Sequence, residues 1–113
     1  MTAVVVERFI AAGHPAFDGH FPGRPVLPGV VLLSEVLQAI QAVPQMADAI
    51  GDAPLLVAAK FIAPVRGACC LRIALRLDAR TLAFEVGVDA TLVAKGHYQV
   101  QPAAAPAERV STQ

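Results

Sequence analysis

The chain has 113 residues, of which 56% are hydrophobic and 16% are charged. A chain of this length forms a single domain, and so high an apolar fraction indicates that a second subunit covers part of its surface. Nine basic residues balance nine acidic ones without a cationic cluster, which excludes a typical nucleic-acid-binding surface, and no apolar run approaches the roughly 20 residues of a membrane span.

The N-terminal sequence MTAVVVERF lacks the basic start and the long apolar stretch of a signal peptide, so a cytoplasmic location is expected. Residues 3–11 are rich in β-branched and aromatic types and predict a strand. The loop from Gly13 to Gly29 contains prolines at 15, 22, 25 and 28. Because proline fixes φ and removes a backbone donor, this loop is predicted to be stiff and to carry function.

Apolar residues recur at spacings of three and four from Val30 to Val43 and predict a helix that ends before Pro44. A short second helical piece is predicted over residues 45–50. One arc of the main helix is polar and contains Ser34, Glu35, Gln38 and Gln41. The remaining positions are apolar, so the sequence predicts a mostly buried helix with one polar stripe.

Four further strands, separated by turn residues, are predicted at 55–63, 69–77, 81–88 and 91–100. With the first strand they form one antiparallel sheet covered by one helix, which is an α+β architecture. The adjacent Cys69 and Cys70 face opposite sides of a strand, so they imply neither a disulfide scaffold nor a zinc site. The Pro- and Ala-rich segment 101–113 is predicted to be a flexible tail.

The order of a strand, a Pro/Gly loop, a long helix and four strands resembles the hotdog fold. The loop GHFPGRPVLPG is similar to that of the 3-hydroxyacyl-acyl carrier protein dehydratases of fatty acid synthesis, whose signature is GHFP-x-x-P-x-x-PG. The matching residues are Gly19, His20, Phe21, Pro22, Pro25, Pro28 and Gly29. HPAFDGHF upstream and KFIAPVRGACCLRI downstream extend the resemblance over nearly the whole chain. It implies a single hotdog domain over residues 1–100, with a five- to six-stranded antiparallel sheet wrapped around one central helix.

The resemblance also implies a homodimer, or a higher oligomer, with active sites at the subunit interface. The substrate would be an acyl chain on the phosphopantetheine arm of acyl carrier protein or of CoA, and no metal or other cofactor is expected. His20 would remove a proton from carbon 2, a task that suits an imidazole at cellular pH. The backbone N–H of Gly29 would receive the thioester oxygen. The other expected substrate-binding residues are Phe21, Pro28, Val30 and Gln38.

The second catalytic residue departs from the family pattern. The family has Glu or Asp fourteen residues after the histidine, and this chain has Ser34 there, although Gln38 matches the family's glutamine. A neutral hydroxyl is a poor general acid. Glu35 is the neighbouring carboxylate, but it is rotated by about 100° around the helix. The catalytic candidates are therefore His20, Glu35 and Ser34. The alternative for Glu35 is a carboxylate at the polar edge of the helix, either exposed or paired with a nearby arginine.

Three functions remain open at this point. The first is a 3-hydroxyacyl-thioester dehydratase, in which water, Ser34 or Glu35 replaces the usual acid. The second is a thioesterase of the same fold, in which Glu35 activates water. The third is a non-catalytic acyl-chain or carrier-protein binder. Exposed cations that would meet an acidic carrier protein are Arg24, Lys60 and Arg66.

Overall fold

In a computed structural model that describes residues 2–11 and 26–102, the chain forms five strands and two helices. In chain order they are β1 (Thr2–Ile10), α1 (Gly29–Gln41), α2 (Pro44–Ile50), β2 (Leu55–Phe61), β3 (Cys69–Leu77), β4 (Thr81–Val88) and β5 (Thr91–Gln99). All five predicted strands are confirmed, with shifts of at most two residues at their ends. The short helical piece predicted near residue 45 is confirmed as α2.

The main helix ends two residues earlier than predicted, at Gln41. Val43 is extended, with φ −119° and ψ 97°, and Pro44 occupies the first turn of α2. A residue before proline is pushed out of the helical region because the proline ring clashes with its backbone. Pro44 thus ends α1 and, with its φ already suited to a first helical turn, begins α2.

The strands form one antiparallel sheet in the order β1-β3-β4-β5-β2, so β1 and β2 are its two edges. Strand β3 shows the alternation predicted from its sequence: Leu71, Ile73, Leu75 and Leu77 are buried and the residues between them are exposed. Cys69 and Cys70 are both free thiols on opposite sides of this strand. Cys69 packs against the core, and burial raises the pKa of its thiol.

The two helices cover one face of the sheet. Helix α1 packs on β1 and β3, whereas α2 packs on β4. The prediction of a single covering helix is therefore incomplete, because α2 buries Met46 and Ile50 fully in the same core. Within the described residues, no single helix is long and apolar enough to span a membrane. Helices α1 and α2 have the required length and hydropathy only when they are taken together, and they are bent by 118° relative to each other.

Several predictions concern residues outside the described part of the chain. These are residues 13–25 of the predicted stiff loop, with His20, Phe21 and Arg24, and residues 103–113 of the predicted tail. At the start of the predicted tail, Gln101 donates its backbone N–H to the carbonyl of Ala49 over 2.8 Å. The chain after β5 is thus tied to α2 as far as Gln101.

Candidate active site

An apolar groove of about 650 Å³ runs along the start of α1. One wall comes from the segment that enters the helix and from its first turns, residues 26–33, and the other from residues 61–65 after β2. One backbone hydrogen bond joins the two walls, from the N–H of Leu27 to the carbonyl of Val65 over 2.9 Å. A second backbone hydrogen bond, from the N–H of Ile62 to the carbonyl of Val93 over 2.8 Å, anchors the wall of residues 61–65 to β5. Backbone hydrogen bonds of the fold therefore fix the shape of the groove.

Gly29 allows the two walls to approach closely. A Cβ placed on this residue would lie 2.9 Å from the Cζ atom of Phe61, which is closer than real Cβ contacts allow. The Phe61 ring therefore packs directly over the first helical residue, while half of its surface stays exposed. A side chain at position 29 would therefore displace the Phe61 ring on the opposite wall.

The first turn of α1 presents backbone donors beside the groove. The helix begins after Pro28, which is extended and provides no side-chain cap. The carbonyl of Pro28 accepts the N–H groups of Val31 and Leu32 at 3.0 and 3.1 Å. Within the described part of the chain, the N–H groups of Gly29 and Val30 meet no acceptor. Such first-turn N–H groups carry a partial positive charge and can bind an oxygen that gains negative charge.

A hydrogen-bonded cluster lies further along α1 and links it to β1. Nε of Arg8 donates to Oε1 of Glu35 over 2.8 Å, and Nη2 of Arg8 donates to Oε1 of Gln38. The amide nitrogen of Gln38 donates in turn to Oγ of Ser34 over 3.3 Å. Glu35 is the only charged residue that is buried in the described part of the chain, with 8% of its surface exposed. Its carboxylate is therefore held by an ion pair inside the protein.

The structure places the sequence-predicted residues in two neighbouring positions. Pro28, Gly29 and Val30 line the groove. Ser34 lies one turn beyond Val30 on the exposed side of the helix, and Gln38 lies one turn beyond Ser34. His20 and Phe21 lie outside the described residues.

Sequence reasoning missed two residues of this region, Arg8 and Phe61. The signal for Arg8 was present, because its strand places Val4, Val6, Arg8 and Ile10 on the inward face, where a lone cation requires a partner. Phe61 belongs to the segment KFIAPVRGACCLRI that shares the family resemblance, but its position over Gly29 had no local signal, since it depends on how β2 ends relative to the helix.

A larger depression of about 750 Å³ lies on the sheet face opposite the helices. Alanines, a glycine and exposed charged residues line it, together with His97. None of the predicted catalytic or substrate-binding residues contributes to it, but Lys60, a predicted carrier-protein contact, does. The described residues also hold no group of three His, Cys, Asp or Glu side chains suited to a metal ion.

Comparisons with known proteins agree with the fold. The sequence model of the ApeI-like family, described as ApeI dehydratase, matches residues 1–97. A 3-hydroxyacyl-[acyl-carrier-protein] dehydratase FabZ from Chloroflexus aggregans is 33% identical over 78 residues, which are 66% of this chain and 54% of that protein. The FabZ from Symbiobacterium thermophilum is 33% identical over 88 residues, covering 74% of this chain and 62% of that protein. The chain thus spans little more than half the length of these curated relatives.

A solved structure shares the architecture. The dehydratase heterocomplex ApeI:P from Xenorhabdus doucetiae superposes with a TM-score of 0.68 at 20% sequence identity, covering 87% of this chain and 86% of that one. At this level of identity the likeness shows the fold alone. The five-stranded antiparallel sheet with two helices is therefore a hotdog-like dehydratase fold.

Proposed function

Because the chain belongs to the ApeI-like family of dehydratases, we propose that it removes water reversibly from 3-hydroxyacyl thioesters to give 2-enoyl thioesters. The observation that carries the proposal is the apolar groove beside the first-turn N–H groups of Gly29 and Val30, which meet no acceptor among residues 2–11 and 26–102. An acyl chain fits the groove, and a thioester carbonyl fits its polar end. The acyl group would arrive on the phosphopantetheine arm of acyl carrier protein or CoA, with no metal or other cofactor. The cytoplasmic location stays a prediction.

The chemistry proceeds through an enolate in this proposal. His20 removes the proton from carbon 2, and negative charge develops on the thioester oxygen. The N–H of Gly29 stabilises that charge, because a helix N-terminus favours an anion and its donors need no reorganisation during the reaction. Because Gly29 has no side chain, the Phe61 ring packs directly against the start of the helix at this end of the groove. Phe21, Pro28 and Val30 complete the substrate contacts.

The pairing of Glu35 decides how the two acid candidates are assigned. Its carboxylate already accepts from Arg8 at 2.8 Å, and only 10% of its side chain is exposed. A catalytic role would require Arg8 to release it. We therefore assign Ser34 to the position of the usual acid and Glu35 to a structural role. The same pairing disfavours the thioesterase alternative, in which Glu35 must activate water.

The experiment is to incubate the protein with a 3-hydroxyacyl-carrier protein and to follow enoyl product and free thiol by mass spectrometry. We expect enoyl product without thiol release, and a loss of about 10²- to 10⁴-fold in His20→Ala. His97→Ala is the matched control, since His97 lies on the opposite face of the sheet. Thiol release that depends on Glu35 would indicate a thioesterase, and no turnover of either kind would indicate a binder.

Arg66 supports docking of an acidic carrier protein at the groove, because it is exposed and follows Val65 in the groove wall. Lys60 was predicted to take part as well, but it lines the depression on the opposite face of the sheet. We expect Arg66→Glu to raise KM for a carrier-bound substrate and to leave KM for a pantetheine-bound one unchanged, whereas Lys60→Glu should change neither. An equal change for both substrates in Arg66→Glu would contradict docking at this wall.

A homodimer formed through β2 is part of the proposal. This edge strand exposes six of its seven residues, and Leu55 and Val57 are half exposed. Phe61 and Ile62 extend the apolar surface to the groove. An exposed apolar edge strand is a template for pairing with another chain, and pairing with a second copy would continue the sheet and bury this surface.

The two sheet edges offer a matched pair of variants for the dimer. Val57→Lys places a charge on β2, and Val5→Lys places one on β1, at valines that are 52% and 46% exposed. We expect light scattering after gel filtration to show a dimer for the wild type and Val5→Lys and a monomer for Val57→Lys. A monomer only in Val5→Lys would move the interface to β1.

A further inference from the structure

The cluster that joins Arg8, Glu35, Gln38 and Ser34 has a defined direction of hydrogen bonding. Arginine carries five donors and no acceptor. The amide oxygen of Gln38 must therefore face Arg8, and its NH₂ group must face away from it. The atom on that other side is Oγ of Ser34, 3.3 Å from the Gln38 nitrogen. Donation thus runs from Arg8 to Gln38 to Ser34.

This direction determines what Ser34 can offer to another molecule. Its oxygen uses one lone pair as the acceptor for Gln38. Its own hydroxyl proton is therefore left for donation to a group other than Gln38. Without the fixed amide, a serine hydroxyl rotates freely and could equally well donate to the glutamine oxygen.

Glu35 holds the guanidinium of Arg8, the first donor of the cluster, in place. It accepts from Nε of Arg8 while Nη2 of the same guanidinium reaches Gln38. The planar fork of an arginine serves two acceptors at once, which the single ammonium of a lysine does with much less geometric control. Since Glu35 is mostly buried and Arg8 only partly so, the carboxylate anchors the guanidinium beneath α1.

We propose that Arg8 and Gln38 are positioning residues, which direct the hydroxyl of Ser34 to donate a hydrogen bond to the 3-hydroxyl oxygen of the substrate. This rests on the proposed dehydratase function. Ser34 is suitably placed, because it lies exposed one turn beyond Val30, which lines the groove. The cluster gives a serine the donor role that a protonated carboxyl has in other members of the family.

The reaction balances without a proton from Ser34. His20 takes the proton from carbon 2, the C2–C3 double bond forms, and the C3–O bond breaks. The imidazolium returns its proton to the departing oxygen, which leaves as water. Ser34 donates its hydrogen bond to that oxygen throughout and strengthens it as negative charge develops there. The hydrogen bond from Ser34 therefore stabilises the transition state more than the bound substrate, and it raises kcat.

The decisive variants change the direction of the hydrogen bonds while preserving the contacts. Gln38→Glu keeps an acceptor for Arg8 and replaces the donor toward Ser34 by an acceptor, so the serine proton turns toward residue 38. We expect kcat to fall about tenfold with KM unchanged, as one hydrogen bond is lost in the transition state. Ser34→Ala should lose the same factor. Gln41→Glu, on the same helix but outside the cluster, is the matched control and should retain full activity.

The double variant separates positioning from structural damage. If Gln38 acts through Ser34, adding Gln38→Glu to Ser34→Ala causes no further loss of kcat. Arg8→Lys should lower kcat to a similar extent in the wild-type background and have no effect on kcat in the Ser34→Ala background. Losses that multiply in the double variants, or full activity in Gln38→Glu, would overturn the proposal. Absence of dehydratase activity in the wild type would instead overturn the proposed function, and the assignment to Ser34 with it.

Discussion

Nε of Arg8 lies 2.8 Å from Oε1 of Glu35, which ties β1 to the sheet-facing side of α1. Only 10% of the Glu35 side chain is exposed, against 31% of Arg8. Removing one partner of a mostly buried pair leaves the other charge without compensation. We therefore expect Arg8→Met to lower the free energy of unfolding by about 2–4 kcal/mol. Chemical denaturation at one fixed protein concentration measures the change.

The pair between Arg72 and Glu7 is the matched control for this prediction. Its atoms are 3.5 Å apart, and the two side chains are 62% and 63% exposed. Solvent screens such a pair, so Arg72→Met should change the free energy of unfolding by less than about 1 kcal/mol. Adding Glu35→Met to Arg8→Met should recover much of the loss, because no charge is then left unpaired. Equal losses for the two arginine variants would contradict a buried ion pair.

The sheet could be predicted from the sequence because its signals are local. In β3 the alternation of Leu71 and Ile73 with Arg72 marks both the strand and its buried face. The break between the helices is equally local, since Pro44 forces Val43 out of the helical region. The number of helices that cover the sheet was underestimated. Helix α2 has only seven residues, and so short a segment shows no apolar periodicity from which its burial in the core could be predicted.

The cluster beneath α1 could not be predicted in the same way. Arg8 and Glu35 are separated by 27 positions in the sequence, and their contact depends on which strand lies under the helix. The polar stripe on the helix was visible, but burial divides it: Glu35 faces inward while Ser34 and Gln38 face outward. The motif pointed to Gly29, whereas its neighbour Phe61 follows from the tertiary arrangement.

Gly29 and Phe61 should be energetically coupled across the groove. In Gly29→Ala the new methyl group would meet the Phe61 ring at 2.9 Å, so the half-exposed ring has to move. We expect a loss of about 1 kcal/mol in the free energy of unfolding. In a Phe61→Leu background the same substitution should be neutral or stabilise by up to about 1 kcal/mol, since alanine is a better helix former than glycine. A double-mutant cycle measures the effect of Gly29→Ala on the free energy of unfolding in both backgrounds. The same effect in the two backgrounds would contradict the contact between Gly29 and Phe61.

Gly96 should tolerate no side chain, because its neighbours belong to the backbone and the core. A Cβ there would lie 2.7 Å from Cζ of Phe84 and 2.9 Å from Cα of Ala59 in the adjacent β2. Phe84 is fully buried and cannot move away. We expect Gly96→Ala to lower the free energy of unfolding by about 3 kcal/mol or more.

The control for Gly96 is a second glycine of the same sheet. Gly87 has only an ordinary contact of 3.5 Å, to the carbonyl of Thr91. Gly87→Ala should therefore change the free energy of unfolding by no more than about 0.5 kcal/mol in the same denaturation experiment. A comparable loss in both variants would mean that glycine matters in this sheet for reasons other than the close approach of β2 to β5.

The turn between β3 and β4 should give the protein a measurable sensitivity to acid. Oδ1 of Asp78 accepts the backbone N–H groups of Arg80 and Thr81, each over 2.8 Å. These bonds, that of Arg80 first, hold the pKa of the Asp78 carboxyl below its ordinary value of 3.8. The folded protein thus prefers the ionised form more strongly than the unfolded chain does. The resulting stabilisation is complete above the ordinary value and is lost as the pH falls through the lowered one.

Thermal unfolding between pH 6 and pH 2 tests this contribution. In the wild type, part of the fall in melting temperature should occur below the ordinary pKa of the carboxyl. Asp78→Asn should start from a lower melting temperature at pH 6 and lose less on acidification, because its amide does not titrate. Asp52→Asn is the control, since Asp52 accepts no side-chain hydrogen bond within residues 2–11 and 26–102. Parallel pH profiles for the wild type and Asp78→Asn would show that the turn does not depend on the charge of Asp78.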